Sequence, residues 1–191
     1  MFLFISFLSK STENVINQKQ PIFTIMIDMN ASPMKIMFHR IEREGIYDMN
    51  HLYKQMKEWF DENNYVYLEK ENTTNIRDKG VELKMTMIGE RRVTDYFQFY
   101  IEVKFLVIEM EKVKVKDKTL DKGKLSAFIK ANLIFDYRNI WSKNKFSKLL
   151  RFIYNNFIIK KKIDDVYSAA LKFESEDLFN VMKEALEMYN Q

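Results

Sequence analysis

The chain contains no cysteine. That absence excludes disulfides, thiolate chemistry and any zinc or iron–sulfur site built on sulfur. It also gives no sign of an oxidising compartment, so the cytoplasm is the expected location. Glycine occurs four times and proline twice. A chain so poor in turn formers excludes a many-stranded sandwich with tight corners, and predicts long elements joined by polar turns. Gly45, Gly80, Gly89 and Gly123 stand isolated. Neither the phosphate-binding P-loop nor the dinucleotide fingerprint can be written with them, so no nucleotide cofactor is expected.

Histidine is almost as scarce. His39 and His51 fall twelve residues apart, without the helical spacing of a zinc-binding pair and without a nucleophile motif beside them. Both are read as structural, and no metal site or catalytic residue is expected. Asp164-Asp165 and the Glu174, Glu176, Asp177 group flank helical stretches, where acids interact favourably with the helix dipole. Long hydrophobic runs are missing too: no stretch reaches the roughly 18 uninterrupted apolar residues of a membrane-crossing helix. The opening "MFLFISFLSK" is too short to span, has no charged region ahead of it and no small-residue cleavage site after it. It is expected to fold back or fray rather than anchor the chain.

What is present is ample for a core. Of 191 residues, 47% are hydrophobic and 30% charged, which fits one soluble domain. Both prolines lie within the first 33 residues, a stretch poor in charge and read as an N-terminal extension with a strand at "IFTIMIDM". Met26, Met29, Met34 and Met37 offer alternative starts near its end. Residues 34–191 are expected to form a single α+β domain. "MKIMFHRI" (34–41) has strand composition. Asp48 is placed to cap a helix whose apolar positions are Leu52, Met56, Trp59 and Phe60, and Asn63-Asn64 suits its end. "YVYLEK" (65–70) and "VELKMTM" (81–87) are strands, followed by a polar connection at 89–95. Phe99, Ile101, Val103 and Phe105 alternate in a run reaching residue 116, long enough to require a bulge near Leu106–Ile108. After a turn at "DKTLDKG", Leu125, Ala127, Ile129, Ala131, Leu133 and Phe135 share a face. Strands that follow one another through short connections form an antiparallel sheet, of about four to six strands, with the helices on one face.

The charge is unevenly placed. The formal net charge is +4, but residues 137–163 hold eight basic residues and no acidic one, leaving −4 for the rest of the chain. The eight are Arg138, Lys143, Lys145, Lys148, Arg151, Lys160, Lys161 and Lys162, interleaved with Phe, Tyr, Trp, Leu and Ile in "DYRNIWSKNKFSKLLRFIYNNFIIKKKI". At helical spacing Phe146, Leu149, Leu150, Ile153 and Phe157 form one stripe, expected to pack on the sheet. Lys148, Arg151, Asn155 and Lys162 fall near the opposite side, but Phe152, Ile158 and Ile159 fall outside the stripe and Lys160 inside it, so either the helix breaks near Asn155-Asn156 or it is covered on more than one side. Two further helical stretches follow. One carries Ile163, Val166, Tyr167 and Ala170; the other starts at a capping Ser175 and carries Leu178, Val181, Met182, Ala185 and Tyr189.

Two resemblances accompany this reading. The order strand, helix, antiparallel strands, long C-terminal helix is similar to the helix-grip arrangement of START-like and Bet v 1-like domains. That likeness implies a curved sheet around a final helix, with an apolar ligand between them. The stretches "HRIEREGIYDMNHLYKQMKEWF" and "DYRNIWSKNKFSKLLRFIYNNFIIKKKI" resemble a group of archaeal α+β proteins without an assigned activity, which brings no site residues. Together the observations point to a non-enzymatic binding or scaffold module. It acts through the basic-aromatic surface at 138–162 toward nucleic acid, another anionic surface or a protein partner. A carrier of a small apolar ligand is the alternative. Lysines neutralise phosphates and exposed aromatic rings stack on bases, which is why that pattern suggests such partners.

Overall fold

The computed structural model describes residues 33–187 except Lys79, Lys116 and Ser142. The expected N-terminal extension, with the strand at 22–29, and Tyr189 lie outside the described residues. Strand β1 (Met34–Tyr47) leads into helix α1 (Met49–Glu62). Four strands then follow in succession: β2 (Val66–Arg77), β3 (Gly80–Arg92), β4 (Phe97–Val115) and β5 (Lys118–Phe135). They form one open antiparallel sheet in the order β1-β5-β4-β3-β2. The chain closes with α2 (Lys145–Ile153), a π-helical turn (Tyr154–Ile158), the short α3 (Lys160–Lys162), a second π-helical stretch (Ile163–Ser168) and α4 (Ala169–Glu187). The fold is therefore α+β, as the sequence predicts.

Period-two alternation decides which side of the sheet is covered. Phe99, Ile101, Val103 and Phe105 of β4 and Leu125, Ala127, Ile129, Ala131 and Leu133 of β5 are all buried. Leu171, Leu178, Met182 and Ala185 of α4 join them in one core, together with Leu52, Met56, Trp59 and Phe60 of α1. Helix α1 begins where the sequence places it, with the Asp48 carboxylate accepting a hydrogen bond from the His51 amide at 2.9 Å. It ends at Asn63, and Asn64 takes the left-handed conformation with φ 59°. Burying large apolar side chains of this kind contributes about 1.5–3 kcal/mol each.

Several boundaries differ from the expectation. β2 continues through the polar "ENTTNIR" because the ladder with β3 supplies its hydrogen bonds, whatever its β-propensity. β3 likewise runs on through Gly89–Arg92, paired with Ile101 to Gln98 of β4. β5 starts at Lys118, opposite Val115, so most of the expected turn is strand. The register irregularity of β4 lies between Ile108 and Glu111, just beyond the expected position, with Glu109 at φ 55°. Ser175 does not begin a helix. It is buried inside α4, its hydroxyl donating to the Leu171 carbonyl at 2.6 Å. That back-bond satisfies the serine within the helix, so no cap is needed.

The acids of α4 clamp it to the rest of the fold. Trp59 Nε1 donates to Asp177 at 2.6 Å, Tyr65 Oη to Glu174 at 2.7 Å, and Arg91 Nη2 to the other Glu174 oxygen at 2.5 Å. Burial, reinforced by Glu174, holds the Tyr65 phenol far above its ordinary range. Tyr96 is pushed up to about 12, chiefly by burial. Folded-state values above the unfolded value of about 10 mean that this stability is complete below that pH and is lost as pH rises through the folded values. In an alkaline absorbance titration these two tyrosines are expected to ionise only with unfolding, after the exposed ones. Smooth ionisation of every tyrosine at about pH 10 in a folded protein would contradict this.

Candidate functional site

The C-terminal basic segment is fixed to the fold by Asp136. This residue directly follows β5, sits at φ 48° and is buried. Its amide donates to the Tyr96 carbonyl at 2.8 Å, and its carboxylate accepts from the amides of Ile140 (2.8 Å) and Trp141 (3.0 Å). The same carboxylate pairs with Arg151 Nη1 at 3.2 Å. One side chain thus folds the 136–141 turn and ties α2 to the end of the sheet. Asn144 starts α2, its Oδ1 accepting from the Ser147 amide at 2.7 Å. Beyond α2, Tyr96 donates to Asn155 Oδ1 at 2.7 Å, and the Trp141 and Tyr154 rings stack with centroids 5.7 Å apart.

These contacts orient α2 in the sense opposite to the expected one. Arg151 is its buried residue, 6% exposed, while the stripe assigned to the sheet faces outward. Phe146 is 68% exposed and Phe157 75%; Leu149, Leu150, Ile153 and Ile158 are exposed with them. At about 100° per residue, Arg151 lies across the helix from this stripe. The sequence pattern is amphipathic as read, but the inward side is the polar one. The reason is the buried Asp136 carboxylate: a buried charge demands a partner, and Arg151 answers it.

The eight predicted basic residues therefore do not form one exposed set. Arg151 is withdrawn into the fold. Lys143, Lys145 and Lys148 stand exposed around the start of α2, and Lys160, Lys161 and Lys162 stand exposed in α3. Among the described residues none of these six lysines is paired with a carboxylate. Arg138 is exposed and paired with Asp95 at 2.9 Å. Arg91 is committed to Glu174 and the Asn63 carbonyl, whereas Arg92 lies over the Tyr137 ring at 5.8 Å, beside Arg138. The sequence reading missed the Asp136–Arg151 anchor. Its signal was present: Arg151 is the one arginine among the lysines from 143 to 162, and arginine suits a buried, forked ion pair better than lysine does.

Beneath this segment lies an open cleft of about 650 Å³. Pro33, Phe135 and Ile163 give it apolar walls; Asp136, Arg151 and Lys160 bring charge. His39 stands elsewhere, half-buried against the Phe179 ring at 4.4 Å. Among the described residues no group of three metal-ligating side chains forms, and no helix is long and apolar enough to cross a membrane. No protein-family model matches the chain, and none of the curated proteins compared with it matches either.

Proposed function

We propose that this protein is a non-enzymatic binding or scaffold module whose working surface is the outward side of residues 138–162, gripping an anionic partner in the cytoplasm. One observation carries the reading. An amphipathic helix is held by its polar side, so its apolar stripe and the lysines beside it face solvent together. Exposed apolar patches of this kind mark interaction sites. Lysines without acidic neighbours along the segment set the sign of the partner.

The test is elution from an immobilised polyanion. The Lys143→Glu, Lys148→Glu, Lys162→Glu variant is expected to elute at much lower salt than the native chain, with folding unchanged because all three positions are exposed. Equal retention would count against the reading. Arg151 is left intact, since reversing it would strike the anchor instead of the surface.

A second reading, the small-ligand carrier implied by the helix-grip likeness, is favoured by the cleft. Between sheet and α4 the side chains of Met37, Leu171, Leu178 and Met182 are fully packed, so the ligand would lie beside Phe135 and Ile163 instead. A defined small adduct in native mass spectra, insensitive to salt, would favour that reading; a bare chain would not.

A further inference from the structure

Resting on that reading, we infer that the anionic partner is a phospholipid surface and that α2 with the following π-helical turn lies in its interface plane. The chemistry of the exposed side chains separates the candidates. Nucleic acid would engage the lysines and stack on Phe146 and Phe157, but stacking needs rings, and Leu149, Leu150, Ile153 and Ile158 would stay in water. A second copy seated on this face about a two-fold axis would set lysines against lysines, since residues 137–163 carry no acid to answer them. The boundary between lipid headgroups and acyl chains covers both kinds of group at once. The apolar side chains enter the acyl region and the lysines meet anionic headgroups.

The fold supports this placement. Polar contacts through Arg151 and Asn155, with the Tyr96–Tyr154 ring contact, hold the stripe outward before any partner arrives. The helix is preformed, so docking does not have to pay for ordering it. Its length fits lying on a surface: α2 has nine residues, far short of a span. Lys143 and Lys145 precede the stripe and Lys160, Lys161 and Lys162 follow it, all of them exposed. That arrangement lets the helix lie flat, with both ends at headgroup level.

The experiment is vesicle co-sedimentation of the full chain. The vesicles are phosphatidylcholine alone or phosphatidylcholine with phosphatidylglycerol, and a single-stranded oligonucleotide is run in parallel. Two variants are compared, Leu149→Gln/Ile153→Gln and Lys143→Glu/Lys145→Glu; both change exposed positions, and circular dichroism verifies their folds. Sedimentation with anionic vesicles only, weakened roughly tenfold or more by either variant, is the expected result. Vesicle binding that survives Leu149→Gln/Ile153→Gln would overturn the embedded stripe. Oligonucleotide binding without vesicle binding would overturn the lipid inference and leave the anionic-partner reading standing. A dimer dissociated by Leu149→Gln/Ile153→Gln, with no vesicle binding, would show a second copy on this face and overturn it as well. Binding to neither vesicle nor oligonucleotide, with no dimer, would overturn both readings.

Discussion

Asp136→Ala is expected to lower stability by about 3–5 kcal/mol, because it leaves the Arg151 guanidinium buried without its carboxylate. The same change removes the acceptor for the Ile140 and Trp141 amides, so the turn leading to α2 loses its shape. Urea denaturation followed by circular dichroism measures the total. Hydrogen exchange shows where it falls, and the expected loss of protection is concentrated at 136–158. The paired substitution Asp136→Ala/Arg151→Met separates charge from shape. With both charges gone, much of the loss should return, and what remains belongs to the turn amides. A loss below about 1 kcal/mol for Asp136→Ala, the size of an exposed ion pair, would show that the pair does not hold the segment.

The second large effect lies where α1 crosses the sheet. Gly89 is in the middle of β3, and a Cβ built there would sit 2.3 Å from Phe60 Cε1. The glycine is there because a fully buried ring occupies its missing side chain's place. Phe60 also meets the Trp59, Tyr65 and Tyr67 rings. Phe60→Ala is expected to cost about 3–5 kcal/mol as a cavity. Gly89→Ala is expected to cost about 1–3 kcal/mol as overpacking. The combination should be less destabilising than the two added together, since the new methyl enters the space the ring vacates. Thermal denaturation of the four chains in the cycle measures the coupling; simple additivity would mean that ring and glycine do not share the space.

Core and helix α1 were legible because local and global signals agree there. Asp48, Leu52, Met56, Trp59, Phe60 and Asn64 each follow a local rule that burial then rewards. Strands β4 and β5 were legible for the same reason, since strict alternation survives only where one face is covered. The second half of β2 was not legible. "ENTTNIR" has little strand preference of its own, and its order comes from β3, its ladder partner at the sheet edge. In the candidate site the lysines were legible as exposed groups, but the direction of α2 was not. A helical wheel shows which residues share a side; it does not show which side the fold wants. Here one buried carboxylate decides it, through the pairing of Asp136 with Arg151.

The two π-helical stretches carry a consequence for sequence change. Tyr154–Ile158 and Ile163–Ser168 each turn less per residue than an α-helix, so the phase of the side chains slips twice within fifteen residues. That slip is why a single wheel does not carry through the segment: Arg151 and Ile163 are both buried, although twelve residues at about 100° each would set them about 120° apart. The segment keeps time with its length as well as its composition. Exchange of one exposed side chain is a local event. Loss of one residue between 154 and 158 would reset the phase of everything after it, turning Lys160 to Lys162 and Ile163 by about 100°. Descendants of this chain should therefore vary freely in the lettering of this stretch and hardly at all in its count.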